Sequence, residues 1–189
     1  MRVLQTQYIA KGKTIGIRTA EPEDAAELIA LMHQLDRETV FLAREPGEFD
    51  MAEEREREFL ANCAQSEHCC YLVAVVDGKI VGNCNALFGT RKRYRHVADI
   101  SVGLLKSHWG MRIGRMLLET CINWLKESGV EKVELAVDTQ NLRAVSLYIS
   151  LGFVVEGHIR HERKLADGTY RDAYRMELDL TNRKERERK

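Results

Sequence analysis

The chain has 189 residues, 31% charged and 44% apolar, with basic and acidic side chains balanced at a formal charge of zero. That length supplies one full core and falls short of two, and the composition excludes a disordered chain and a strongly basic nucleic-acid binder. No apolar run approaches the ~20 residues of a membrane helix, and residues 1–20 lack the uninterrupted apolar core of a signal peptide, so a cytoplasmic protein with no membrane partner is expected.

A first strand is expected over residues 14–18. Pro22 then opens a helix, with Glu21, Glu23 and Asp24 where the helix dipole favours acids, and Ala25, Leu28, Ile29, Met32 and Leu35 recur at helical spacing. A loop over 38–50 leads to a charge-rich helix over 51–65, read as a solvated face. Residues 70–76 and 79–88 flank Asp77-Gly78, a dipeptide suited to a tight hairpin turn. The basic run 91–96 reads as a solvated connection; six residues in a neutral chain are a weak basis for nucleic-acid binding.

The next strand, 97–105, runs into a glycine-containing turn and then a helix whose Ile113, Leu117, Leu118, Cys121, Ile122 and Leu125 share one side. A helix that starts straight from such a turn points free N–H groups and the positive end of its dipole at one spot, which favours a phosphate or pyrophosphate. Gly129 ends that helix, Val133, Leu135 and Val137 alternate as a strand, and a helix bearing Tyr148 ends at Gly152. Residues 153–165 and 170–180 form a closing hairpin around Asp167-Gly168. This order is that of an α/β fold with a mixed sheet. With two prolines and no Ser/Gly-rich linker, residues 1–180 read as a single domain and 181–189 as a charged tail. The five cysteines, Cys63, Cys69, Cys70, Cys84 and Cys121, are expected reduced and structural, with the vicinal Cys69-Cys70 a buried pair rather than a covalent catalyst.

The turn Trp109-Gly-Met-Arg-Ile-Gly114, taken with the later segment Asn141-Leu-Arg-Ala-Val-Ser-Leu-Tyr148-Ile-Ser-Leu-Gly-Phe153, resembles the GNAT superfamily of N-acetyltransferases. Residues 152–157 and 167–172, with Met176, are similar to the branch that acetylates protein N-termini, ribosomal proteins or polyamines. The resemblance implies a GNAT-like fold, a mixed central sheet of about six to seven strands with about four helices, acetyl-CoA as co-substrate and no metal. The acceptor is then a small-molecule amine, a protein N-terminus or a lysine, attacking directly in a ternary complex; a homodimer is left open. A non-catalytic acyl-CoA-binding domain is the alternative.

On this pattern Trp109, Gly110, Met111, Arg112, Ile113 and Gly114 cradle the pyrophosphate, with Arg115 at the head of the helix. The backbone near Val102, Leu104 and Leu105 pairs with the pantetheine arm like an added strand, and Asn141 contacts the cofactor or caps its helix. Trp109 stands where Arg or Gln is usual and Arg112 where glycine is usual; Arg112 fits comfortably there only if its φ is negative, and otherwise the CoA site is weakened. Tyr148 is the general acid, since a phenol near pKa ~10 can protonate a departing thiolate whose thiol lies near ~8.5. An amine near pKa ~10.4 is only about 0.04% neutral at pH 7, a penalty on the order of 4.6 kcal/mol, and Asp99 is the base expected to help through water. Glu38, Glu45, Glu48 and Asp50 in the loop over the acceptor would suit a cationic amine, and an ordinary hydrophilic loop accounts for them equally well.

Overall fold

The computed structural model describes residues 6–181. A hairpin of β1 (Thr6–Ala10) and β2 (Lys13–Thr19) precedes α1 (Ala25–Glu38), entered through a single 3-10 turn at Pro22–Asp24. Next come α2 (Glu53–Gln65), the hairpin of β3 (Cys69–Val76) and β4 (Lys79–Phe88), and β5 (Val97–Leu104). The second half comprises α3 (Ile113–Glu127), β6 (Lys132–Asp138), α4 (Leu142–Ser150), β7 (Val154–Lys164) and β8 (Tyr170–Asp179).

The strands form one sheet in the order β1-β2-β3-β4-β5-β6-β8-β7, antiparallel except where β5 meets β6. Because β3 is covered on both faces, it reads as an almost unbroken apolar run, CCYLVAVV, instead of an alternating one. The amphipathic stripe of α3 buries Leu117, Leu118, Cys121 and Leu125 on one face of the sheet. Leu28 and Leu35 of α1 and Leu60 of α2 pack with Tyr71 and Val73 on the other. Each such leucine contributes about 1.5–3 kcal/mol by leaving water.

Eight strands replace the expected six to seven, because β1 pairs with β2 over five residues, Thr6↔Ile17 to Ala10↔Lys13. Residues 182–189 of the expected tail lie outside the described residues. The cysteine reading is corrected too. Cys63 and Cys69 form a disulfide, with Cα atoms 5.1 Å apart, linking the end of α2 to the start of β3, while Cys70, Cys84 and Cys121 are free and buried. Neighbours in a strand point to opposite faces, so Cys69 faces α2 and Cys70 enters the α3 core, and the two cannot pair.

Candidate active site

β5 and β6 are bonded partners only at Val97↔Lys132, Ala98↔Val133 and Asp99↔Glu134. Beyond these they part, while β5 stays on β4 through Leu104 and β6 stays on β8 through Asp138. The Leu105 N–H donates to Val81 O at 3.0 Å, on the β4 side; amide direction alternates along a strand, so Val102 and Leu104 turn into the opening wedge. Their backbone there can pair with an extended ligand as another strand would. A cavity of about 810 Å³ fills the wedge, walled by Ile100, Ser101, Val102, Gly103 and Leu104 on one side and Ala136, Val137 and Asp138 on the other.

The mouth of α3 closes one end. Its first helical bond runs from Met116 N–H to Arg112 O, so the N–H groups of Ile113, Gly114 and Arg115 have no partner within the helix. Trp109, Gly110, Arg112, Ile113, Gly114 and Arg115 line the cavity here, whereas Met111 is buried beneath it. The Trp109 indole donates to Leu104 O at 2.9 Å and carries the Arg143 guanidinium 4.8 Å above its ring. Arg112 lies at φ 64°, left-handed, and Gly110 at φ 75°. The condition for a comfortable fit at Arg112 is not met: the turn demands the conformation a glycine adopts freely, and Arg112 adopts it at a cost of about 1–2 kcal/mol. Open amides, a helix N-terminus and three guanidiniums fit a phosphorylated ligand.

Asn141 caps α4, its Oδ1 accepting from Ala144 N–H at 3.2 Å, and it also lines the cavity. Tyr148, one helical face along, lines the cavity and is otherwise buried, its ring 5.6 Å from Phe153. Burial raises the pKa of its phenol above the ordinary value, with Cys84 adding to the effect, and so holds the proton on it. Asp99 and Leu105 are not on the wall. Asp99 stands two residues beyond Ser101 on the same strand face, about 7 Å along. Burial and the neighbouring Glu134 raise its carboxyl pKa, and Arg175 opposes them. The free Cys70 thiol, raised by its hydrogen bond with Cys121 and by burial, is a poor nucleophile.

The acids of the 38–50 loop are turned to other work. Glu38 accepts from Lys106 N–H at 2.7 Å, Glu45 from Ala166 N–H at 3.0 Å and Glu48 from Glu45 N–H at 2.9 Å, and neither they nor Asp50 line the cavity. Instead the loop contributes Thr39, Phe41, Leu42, Ala43 and Arg44, facing Met32 and Leu35 of α1. A network that no local spacing announces pins it there. Asp138, its side chain fully buried, takes both Arg163 (2.6 Å) and Arg171 (2.9 and 3.0 Å), and Arg163 also donates to Leu42 O at 2.8 Å. Arg143, Arg163 and Glu162 line the cavity without having been singled out in the sequence. Gly103 sits on the floor, where a Cβ would come within 2.7 Å of Leu35 Cδ1 and 2.9 Å of Asn83 Oδ1.

Fold and cleft together define an acyl-CoA-dependent acyltransferase architecture. The family described as "Acetyltransferase (GNAT) family" matches residues 29–153, and the chain belongs to that family, whose members use acetyl-CoA. It is 36% identical over 110 residues to the L-amino acid N-acetyltransferase AaaT of Escherichia coli K12, an overlap that covers 56% of this chain and 65%, less than two thirds, of that protein. A GNAT acetyltransferase structure from Streptococcus pneumoniae superimposes with a TM-score of 0.84 at 36% identity, covering 87% of this chain and 99% of that one. An acetyltransferase from Salmonella typhimurium, solved with its cofactor acetyl-CoA, shares the fold at 22% identity and a TM-score of 0.76, over 89% of this chain and 95% of that one. Among the described residues no His, Cys, Asp and Glu group could hold a metal, and no helix is long and apolar enough to cross a membrane.

Proposed function

We propose that this protein, as a single domain over residues 1–180, transfers acetyl from acetyl-CoA to the primary amine of a small, amino-acid-like molecule. The observation that carries the reading is the single cleft in which the parted β5 and β6, the open amides of α3 and the Tyr148 phenol meet. The amine nitrogen attacks the thioester carbonyl, a C–N bond forms and the C–S bond breaks. Tyr148 then gives its proton to the leaving sulfur, and the nitrogen's surplus proton passes through water towards Asp99. The alternative of a binding domain without turnover loses its main support, since Arg112 keeps the left-handed turn that a glycine would supply.

An amino-acid-like acceptor fits better than a polyamine. The acceptor end presents Met32, Leu35, Phe41 and Leu42 with Arg44, held by Asp36, and Arg163, held by Asp138, while Glu38 and Glu45, which would draw a polycation, are bonded to backbone amides off the cavity wall. The name of the Escherichia coli relative points the same way.

CoA-thiol release with amino acids, spermidine, a lysine peptide and N-terminal peptides tests this. Tyr148→Phe is expected to lower kcat by about 100-fold or more while acetyl-CoA affinity holds. Because burial keeps the phenol protonated, wild-type kcat is expected to show no alkaline fall below about pH 10. Asp99→Asn should lower kcat and remove the acid limb that the Asp99 carboxyl titrates, with Glu162→Gln as the control for the competing carboxylate. Binding of acetyl-CoA with no release for any amine would defeat the catalytic reading, and release only with spermidine would defeat the acceptor class.

A further inference from the structure

The turn at the head of α3 is contacted by a part of the chain that the acetyltransferase reading does not use. Among the described residues β1 is an edge strand that pairs only with β2, yet the Tyr8 hydroxyl donates to Met111 O at 3.1 Å, across more than a hundred residues of chain. The Arg112 guanidinium lies close enough to Tyr8 to pull its phenol pKa down, against the dominant effect of burial, which pushes it up to about 12. At the tip of the same hairpin, Lys11 reaches back over the turn, its Nζ 3.6 Å from the point where a Gly110 Cβ would stand. Lys11 is itself left-handed, at φ 50°. Lys11 stands over the turn, and Arg112 and Arg143 line the cavity beside it, all three exposed. Cations on the hairpin and on the cavity wall, beside the open amides at the head of α3, favour an anion there.

We propose that the β1–β2 hairpin is an outer wall of the CoA site: Lys11 binds a phosphate of CoA, and Tyr8 positions the turn that carries Gly110 and Arg112. The inference rests on the reading of the cleft as an acetyl-CoA site. Both the pyrophosphate and the 3′-phosphate offer the anionic oxygens that an ammonium recognises. The hairpin also answers the departure at Arg112, since a left-handed arginine persists only where its surroundings over-determine it, and Tyr8 fixes the carbonyl just before it.

Titration calorimetry of acetyl-CoA and acetyl-dephospho-CoA against wild type, Lys11→Gln and Tyr8→Phe, each at two salt concentrations, tests this. Lys11→Gln is expected to weaken acetyl-CoA about tenfold, to flatten the salt dependence, and to raise the KM for acetyl-CoA while the KM for the amine stays put. A loss that persists with the dephospho compound assigns Lys11 to the pyrophosphate; a loss that vanishes assigns it to the 3′-phosphate. Tyr8→Phe should weaken both compounds alike, because it loosens the turn rather than one contact. Equal affinity in wild type and Lys11→Gln overturns the inference alone, with the acetyltransferase reading intact. A wild type that binds neither compound overturns both.

Discussion

Arg112 sets the terms at the scale of the residue. Its left-handed backbone costs about 1–2 kcal/mol that glycine would not pay, and glycine would return roughly 0.5–1 kcal/mol of that as extra unfolded-state entropy. Arg112→Gly is therefore expected to raise ligand-free stability by about 0.5–1 kcal/mol, roughly 2 °C in Tm for a chain of this size, while weakening acetyl-CoA through the lost guanidinium. A melt that falls, or affinity that holds, would show that the arginine is neither strained nor used. The sequence displayed the turn clearly, through Gly110, Gly114 and the helix behind them. It could not display the sign of φ at Arg112, because that depends on how β5 delivers the chain into α3. The distance of Asp99 from the cavity wall was hidden for a similar reason: a residue's place along a strand is legible, but where the neighbouring strand parts from it is not.

At the scale of the element, the readable features were those with local periodicity. The stripe of α3, the alternation of β6 and the β3–β4 hairpin all follow from short-range pattern, and all are found. β1 was missed because Thr-Gln-Tyr-Ile-Ala offers only one exposed edge strand, with Ile9 left 76% exposed. The sequence left the role of the loop acids open because their partners, Lys106 and Ala166, are remote in sequence. The Cys63–Cys69 bridge was hidden likewise, its cysteines lying on a helix and a strand six residues apart. Closing so short a loop limits what the bridge contributes, about 2 kcal/mol on the chain-entropy account. Replacing both cysteines by serine should lower the Tm by about 4–8 °C without moving the KM for acetyl-CoA, since neither cysteine lines the cavity. A shift in that KM would mean that α2 and β3 control the cleft.

At the scale of the whole molecule, the sheet is bonded strongly on both sides of a weak seam. β5 and β6 share three residue pairs, whereas β4 and β5 share seven and β6 and β8 share seven. Beyond the seam, the Asp138 network ties the end of β6 to the 38–50 loop and the closing hairpin. A ligand that lies along Val102 and Leu104 supplies strand-like bonds where the sheet has none, so binding should act as a missing piece of structure. Acetyl-CoA at a hundred times its Kd is expected to add about 2.7 kcal/mol, roughly 5–10 °C in Tm. Stability gained in this way is local in origin, and hydrogen exchange can locate it. Protection should rise at the amides of Val102, Leu104, Ile113, Gly114 and Arg115 and change little in β2 and β3, whose bonds are already complete. Protection spread evenly over the sheet would mean that the strands close together when the ligand enters, and that the open wedge is not the form that accepts it.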